Sequence, residues 1–178
     1  TQHPTAHIAR SSAVFGLPES HLDMIRVGLA LYGITPAKHL KNICNLKPAI
    51  TLKSKVVYFK VVRAGDSVGY GRTWYAKKDT RVVTIPIGYG DGYFRSLSNC
   101  GSVLIRGNKY PIIGRICMDQ LMVDIGNNEA YNNDEVVLIG SQGDNTITVE
   151  EIAQLAGTNS HEVLTATNLR VPRVYINH

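Results

Sequence analysis

The sequence predicts a mainly β protein whose larger part is a small β-barrel. From residue 50 onward apolar and polar residues alternate with a period of two, which is typical of strands with one buried face. Short segments of this kind then recur between turn residues, at a spacing typical of a small closed or nearly closed barrel. The predicted strands are 50–57, 58–62, 81–87, 102–105, 110–116, 121–125 and 135–139.

Composition narrows the class of protein further. The chain has 178 residues, 44% of them hydrophobic, which is enough for one domain with a core and a fragment of a second. The net charge is +5, but Lys and Arg are dispersed, so the excess favours small anions and predicts no nucleic-acid partner. No apolar run approaches the roughly 18 residues that span a bilayer, so this segment is expected to make no membrane contact.

The cysteines predict a reducing compartment and no metal site. Cys44, Cys100 and Cys117 are odd in number and far apart, without a CxxC pair or matching histidine spacing. Reduced thiols of this kind predict a cytoplasmic protein.

The first 40 residues differ from the rest in their pattern of apolar and polar residues. Residues 11–14 predict a short helical turn that ends at Gly16 and Pro18, and its hydroxyl and N–H groups could hold an anion. Residues 24–33 are a continuous apolar run, which predicts a strand buried on both faces. A polar, proline-bounded linker over residues 36–48 then indicates a boundary near Leu40.

Arg26 interrupts the apolar run of residues 24–33. A buried guanidinium keeps its charge and therefore needs a partner, whereas an arginine at the strand end would reach solvent. Both readings remain open from the sequence. Gly28, two residues later, would let a ligand approach the backbone closely.

Two tyrosines with glycine neighbours are the strongest candidates for catalytic or binding residues. Tyr70 and Tyr89 each lie in a glycine-rich stretch, 68–73 and 88–93, at the end of a β-rich run. Glycine permits a sharp turn and leaves the phenol uncovered, which favours a functional phenol over a packed one. Tyrosine ionises near pH 10 in model peptides, so a tyrosine base needs a nearby cation. The alternative is two hairpin tips that carry aromatic residues.

Residues 114–120 break the strand pattern with Arg115, Cys117, Met118 and Asp119 close together. Exposed backbone N–H groups at such a break can bind a carboxylate, and Arg115 adds positive charge. The alternatives are a soft-metal site, which would lack a third ligand nearby, and a buried inert thiol.

Two helices follow the predicted barrel. Thr148 and Glu151 form a capping-box pattern before a helix that ends at Gly157, with Ile152, Leu155 and Ala156 on its apolar face. A second short helix is predicted over 162–167. A basic extended segment, 170–176, closes the chain.

Six motifs, taken in order and spacing, resemble the bacterial alanine racemases over nearly the whole chain. The resemblance implies that residues 1–40 are the last elements of a (β/α)8 barrel and that residues 41–178 are the complete C-terminal β domain. It also implies that the lysine that binds pyridoxal 5'-phosphate lies outside this chain, so that these residues alone are inactive. The motifs are 7–11, 26–33, 68–71, 88–92, 114–120 and 170–173.

The resemblance also implies roles for individual residues. Tyr70 matches the base that takes the α-proton on one face of the substrate, the other face being served by the lysine. Arg26 matches the arginine that faces the pyridine nitrogen of the cofactor. The remaining matches are Ser11 and the backbones of Gly28 and Leu29 at the phosphate, His7 as support for the arginine, Tyr89 and Met118 around the substrate carboxylate, and Arg95, Arg115 and Asp119 on the substrate corridor.

The activity that the resemblance implies is the interconversion of L- and D-alanine, which supplies D-alanine for peptidoglycan. It implies a homodimer in which Tyr70 serves the active site of the partner subunit. Two departures concern the substrate: Arg10 replaces the family's common asparagine, and Leu169 replaces a tyrosine carried by many members. The alternatives are a serine racemase, of the type in membrane-bound vancomycin-resistance proteins, and a dimerisation module without chemistry of its own.

Overall fold

The computed structural model describes residues 3–43 and 45–176, so Cys44 lies outside the described residues. The chain divides into two compact units, Thr1–Ile50 and Thr51–His178. Its secondary structure is mainly β, as the sequence predicts. Within the described ranges, no helix is long and apolar enough to cross a membrane.

The first unit contains helix α1, Ser11–Gly16, and three short 3-10 helices, Pro18–Ser20, Leu29–Tyr32 and Lys38–Leu40. The predicted helical turn over residues 11–14 is confirmed, and it ends at the predicted breakers.

The prediction of a strand over residues 24–33 is wrong. Within the described residues this run makes one isolated parallel bridge, between Arg10 and Arg26, and then turns into the 3-10 helix at Leu29. The change of direction occurs at Gly28, whose φ of −121° and ψ of −99° are incompatible with a strand. A run of apolar residues forms a buried strand only where neighbouring strands satisfy both of its edges.

Arg26 is exposed, so of the two alternatives that the sequence left open, the structure has the arginine that reaches solvent. Its Nη2 atom donates to the carbonyl oxygen of Ile8 at 3.4 Å. The guanidinium therefore keeps its hydration and needs no buried carboxylate.

The second unit is built on an eight-stranded antiparallel sheet with the order β1-β9-β6-β7-β8-β5-β2, in which β10 also pairs with β9. A separate two-stranded hairpin is formed by β3 and β4. The strands are β1 Leu52–Lys55, β2 Tyr58–Val62, β3 Ser67–Val68, β4 Trp74–Tyr75, β5 Thr80–Ile85, β6 Ser102–Ile105, β7 Asn108–Ile113, β8 Leu121–Gly126, β9 Glu135–Gln142 and β10 Asn145–Ile147.

The sheet curls because its two outermost strands are consecutive in the chain. Only Val56 and Val57 separate β1 from β2. The amide of Val56 donates to the carbonyl oxygen of Asp134, just before β9, whereas the amide of Val57 donates to that of Thr84 on β5. The chain thus passes from one edge of the sheet to the other within two residues, which produces a curled half-barrel and confirms the predicted architecture.

Alternation along the strands fills the inside of this half-barrel. The side chains at positions 83 and 85 of β5 and at 121, 123 and 125 of β8 are almost fully buried on this face. Val82 lies on the other face of β5, in a small cluster with Met122. Leu104 on β6 and Leu138 on β9 are completely buried as well. Burial of such side chains stabilises the fold by about 1.5–3 kcal/mol each.

Several strand bounds differ from the predicted ones for local reasons. β7 begins at Asn108, which pairs with Ile105, so the turn lies at Arg106 and Gly107, both with positive φ. The same strand ends at Ile113, because Gly114 adopts a φ of 68°. Strands β3 and β4 escape prediction because two residues do not establish a period.

The helices of the second unit are α2, Val149–Ala156, and α3, Ser160–Ala166. The Thr148 hydroxyl caps α2 by accepting from the amide of Glu151 at 3.0 Å, as predicted. The second half of the predicted capping box is wrong, since the Glu151 carboxylate bonds to Lys109 at 2.6 Å instead. Leu155 is 37% exposed and is therefore a marginal member of the predicted apolar face.

Candidate functional site

Tyr70 lies at the tip of the β3–β4 hairpin, in a 3-10 turn formed by Tyr70–Arg72. The flanking glycines, Gly69 and Gly71, have φ values of 82° and 70°, which non-glycine residues rarely adopt. The Tyr70 side chain is 73% exposed. Tyr70 therefore does lie at a hairpin tip, and this tip exposes its phenol to solvent.

The turn that carries Tyr70 packs against the Gly114–Arg115 turn. A methyl group added at Gly69 would lie 3.1 Å from the amide nitrogen of Arg115, and one at Gly71 would lie 3.1 Å from the Arg115 Cζ and Nη1 atoms. The cation beside the Tyr70 turn is therefore Arg115, which the resemblance had assigned to the corridor.

An open groove of about 430 Å³ borders the same hairpin. Its walls combine the apolar side chains of β2, β5 and β8 with the polar groups of Lys60, Thr84 and Gln120. Tyr70 and Cys117 both line it. The groove is thus amphipathic and continuous with the exposed phenol.

In the loop that follows β7, three amides already have hydrogen-bond partners, two on side chains and one on the backbone. The amide of Gly114 donates to Asn99 Oδ1 at 2.7 Å, and that of Ile116 donates to Ser98 Oγ at 3.0 Å. The amide of Cys117 donates to the carbonyl oxygen of Gln120. These three amides hold the loop in place, so a carboxylate would bind elsewhere on the loop.

The Cys117 thiol forms no disulfide with the described residues and is only partly buried. Its side chain is half-buried and packs against the small core cluster around Met122. Partial burial raises the pKa of the Cys117 thiol. The alternative of a buried, inert thiol therefore holds only in part, because Cys117 also lines the groove.

Tyr89 and Met118 are neighbours, as the sequence-based assignment requires. Tyr89 opens a 3-10 turn, Tyr89–Asp91, so it does not occupy a hairpin tip. The amide of Tyr89 donates to the carbonyl oxygen of Cys117 at 3.1 Å, and the amide of Gly90 donates to that of Met118 at 2.8 Å. Both side chains are exposed, by 47% for Tyr89 and 51% for Met118.

Arg170 joins these two loops, and no role for it was predicted from the sequence. Its Nη2 atom lies 2.5 Å from Asp119 Oδ1, and its Nε atom lies 3.4 Å from Asp91 Oδ1. The hydrogen bond to Asp119, followed by the charge of Asp91, raises the pKa of Arg170. The sequence shows that Arg170, Asp91 and Asp119 each lie in one of the motifs. It does not show which of the charged residues in these motifs contact one another.

In the first unit, Ser11 and Gly28 come together. The Ser11 Oγ atom accepts a hydrogen bond from the Gly28 amide at 2.8 Å, and Ser11 is buried. The parallel bridge between Arg10 and Arg26 aligns the two segments that carry them. Because the Ser11 oxygen already accepts, its hydroxyl hydrogen is left to donate to an anion.

The other predicted residues of the site make fewer contacts. Leu29 is buried at the start of the second 3-10 helix, whereas His7 is exposed. Arg95 is exposed on the 3-10 helix Arg95–Leu97. Leu169, one of the two departures from the family pattern, is 100% exposed.

The sequence matches two family models. Residues 49–175 match "Alanine racemase, C-terminal domain", and residues 1–36 match "Alanine racemase, N-terminal domain". The alanine racemase of Carboxydothermus hydrogenoformans is 49% identical over 172 residues, which are 96% of this chain and 47% of that protein. The chain therefore spans about half the length of the relatives that it matches.

Solved structures give the same result. Alanine racemase from Bacillus anthracis with bound L-Ala-P has a TM-score of 0.91 at 36% identity, covering 96% of this chain and 44% of that one. Alanine racemase from Bartonella henselae with covalently bound pyridoxal phosphate has a TM-score of 0.87 at 34% identity, covering 97% of this chain and 48% of that one. On sequence and on structure, the chain belongs to the alanine racemase family.

Proposed function

We propose that the whole protein interconverts L- and D-alanine with pyridoxal phosphate and two bases on opposite faces of the substrate. The observation that carries this proposal is the position of Tyr70, an exposed phenol on a glycine-flanked tip that packs against Arg115. The high identity to the alanine racemase of Carboxydothermus hydrogenoformans supports it.

The donor set of the first unit fits the cofactor. Ser11 offers a hydroxyl hydrogen, the 3-10 helix that starts at Leu29 offers its first amides, and Arg26 offers an exposed guanidinium. Hydroxyl and amide donors suit a phosphate, and a guanidinium suits a pyridine nitrogen that accepts a hydrogen bond. Pyridoxal phosphate, when bound, supplies an electron sink for the α-carbon.

Arg26 would weaken the electron sink that the cofactor supplies. A guanidinium stays charged and can only donate, so it holds the ring nitrogen in its unprotonated form. A weaker sink limits side reactions such as transamination. His7, on the same segment as Ser11, would support Arg26 in this position.

Tyr70 would act as the base on one face of the substrate. Racemisation needs one group that removes the α-proton and another, on the opposite face, that returns a proton. The rigid Gly69–Gly71 turn fixes the phenol, which reduces the cost of orientation. The second base is the lysine that the family places outside these residues.

The substrate carboxylate would bind beside Tyr89 and Met118, whose loops are joined by hydrogen bonds from the amides of Tyr89 and Gly90 to the carbonyl oxygens of Cys117 and Met118. Arg95, Arg115 and Asp119 would line the corridor that leads to the site. Positive charge there would attract an amino-acid carboxylate from solution.

The remaining elements of the proposal concern assembly and location. Residues 1–40 would complete a (β/α)8 barrel, and residues 41–178 would form the C-terminal β domain. The protein would be a cytoplasmic homodimer in which Tyr70 reaches the active site of the partner subunit. D-Alanine for peptidoglycan would be its product.

The test is an assay of the full-length protein with pyridoxal phosphate on L-alanine and L-serine side by side. We expect D-alanine to form at a higher kcat/KM than D-serine. If only serine is turned over, the substrate is serine rather than alanine. Turnover of neither, in a protein that binds the cofactor, would overturn the proposal.

A further inference from the structure

A cluster of one arginine and two aspartates joins the loops that carry Tyr89 and Met118. Arg170 lies on the segment that follows α3, Asp91 follows Tyr89 by two residues, and Asp119 follows Met118 directly. The guanidinium contacts both carboxylates, through Nη2 to Asp119 and Nε to Asp91. A single cation therefore bridges the two loops.

The fit around Arg170 is close. A methyl group at Gly90 would lie 2.3 Å from Arg170 Nη1 and 2.9 Å from the carbonyl oxygen of Met118. Asn168 strengthens the contact, because its Nδ2 atom donates to the carbonyl oxygen of Gly90 at 2.5 Å and its Oδ1 atom accepts from the amide of Arg170 at 2.9 Å. Arg170, Asn168 and the Met118 loop thus all contact the Tyr89 turn at Gly90.

Asp91 has a second contact that makes it part of the loop itself. Its Oδ2 atom accepts from the amide of Gly88 at 2.9 Å, while its Oδ1 atom faces Arg170. The Asp91 side chain is only 13% exposed. Loss of Arg170 would leave two carboxylates close together and would release the Tyr89 turn from the chain that covers it.

We propose that Arg170 is a positioning residue, which fixes the Tyr89 turn against the Met118 loop and thereby orients both groups toward the substrate carboxylate. This inference rests on the proposed function, because it needs Tyr89 and Met118 at the carboxylate. An ion pair as exposed as that of Arg170 with Asp119 adds little to stability. The ion pair matters because it positions the two loops, since small misplacements of binding groups weaken catalysis strongly.

The experiment uses the full-length holoenzyme with Arg170→Gln. We expect the KM for L-alanine to rise about tenfold while kcat changes less than about twofold, as for loss of binding shared by ground and transition states. The calorimetric Kd for propionate, which has the carboxylate of alanine but no amine, should rise by the same factor. Arg170→Lys, which keeps the charge but not the fork that reaches two carboxylates, should show a smaller rise of the same kind.

Lys53→Gln is the matched control. Lys53 pairs with Glu135 at 2.8 Å, and the two side chains are 51% and 49% exposed, against 50% and 53% for Arg170 and Asp119. The substitution removes an equally exposed ion pair between β1 and β9. In the order of the sheet, these strands lie away from the strands next to the two loops. KM and the propionate Kd should not change.

A double-mutant cycle separates the inference from the function on which it rests. Tyr89→Ala alone should raise KM, and Arg170→Gln should cost much less in that background, because the two residues act together. If Tyr89→Ala leaves KM and the propionate Kd unchanged, the assignment of the carboxylate site fails. If Tyr89→Ala raises both but neither Arg170 variant does, or if their effects simply add, the positioning role of Arg170 is overturned.

Discussion

The Arg115 guanidinium packs against Gly71 at the tip that carries Tyr70, so closely that a methyl group at Gly71 would lie 3.1 Å from its Cζ atom. Gly71 also has a φ of 70°. The position of the candidate base thus depends on a glycine for two separate reasons, backbone conformation and space.

Gly71→Ala should therefore lower the activity of the full-length enzyme more than backbone strain alone would. Strain from positive φ costs about 1–2 kcal/mol in stability. Displacement of Tyr70 or Arg115 should lower kcat by roughly tenfold in addition. Gly65→Ala is the control, since Gly65 has a φ of 88° and no atom within 4 Å of the added methyl group. Equal losses of kcat in both variants would show that Arg115 plays no part.

Tyr70→Phe should make the exchange of the α-proton asymmetric. The phenol serves one face only, so exchange with deuterium from solvent should fall by about 10²-fold or more for one enantiomer of alanine and be largely preserved for the other. Exchange measured separately from L- and D-alanine tests this. Similar losses from both enantiomers would contradict a two-base mechanism with Tyr70 as one base.

Ser11→Ala should weaken binding of pyridoxal phosphate to the full-length protein. Its hydroxyl is held by the Gly28 amide, and loss of a hydrogen bond to a charged phosphate costs about 1.5–3 kcal/mol, or roughly 10- to 150-fold in Kd. Cofactor titration followed by absorbance measures this change. Ser12→Ala, on the next residue of α1, is the control and should bind the cofactor normally. Equal affinity in both variants would exclude Ser11 from the phosphate site.

Tyr93→Phe should not destabilise the protein at neutral pH and should stabilise it at alkaline pH. The Tyr93 hydroxyl is buried and has no hydrogen-bond partner among the described residues, and burial, together with the nearby Cys100 and Glu151, raises the Tyr93 pKa. A raised pKa favours the neutral form in the folded state, so this contribution is complete below about pH 10 and is lost as pH rises further.

Urea denaturation of the full-length protein below and above pH 10 measures this effect. Removal of the unpaired hydroxyl should change the free energy of unfolding at pH 7 by about 1 kcal/mol in the stabilising direction. Tyr75→Phe, on a side chain that is 52% exposed, should follow the wild-type pH profile. A larger alkaline loss in Tyr93→Phe than in the wild type would contradict the sign of the shift.

Thr148→Ala should destabilise the protein more than Glu151→Ala. Thr148 accepts from the first turn of α2, and loss of such a cap costs about 1 kcal/mol. Glu151 contributes a partly exposed ion pair with Lys109, for which about 0.2–1 kcal/mol is typical. Thermal unfolding of both variants gives the order. A larger loss in Glu151→Ala would indicate that the capping box closes in solution.

The sequence by itself determined the class of this protein, most of its strands and the residues to which chemistry was assigned. Strands β5 and β8 are predicted because each is a short run of apolar and β-branched residues bounded by turn residues, which is a local property of the chain. The six motifs identified the family for the same reason, since order and spacing are carried by the chain.

Only the tertiary structure decided which distant groups meet. The apolar run over residues 24–33 has the composition of a buried strand, yet it makes one bridge, because pairing depends on neighbours rather than on composition. Arg170 joins Asp91 and Asp119, and Arg115 packs against the Tyr70 turn. Charge pairing acts over a few ångströms in space, and the pairing of β5 with β8 brings together the loops that carry Asp91 and Asp119, which are distant along the chain.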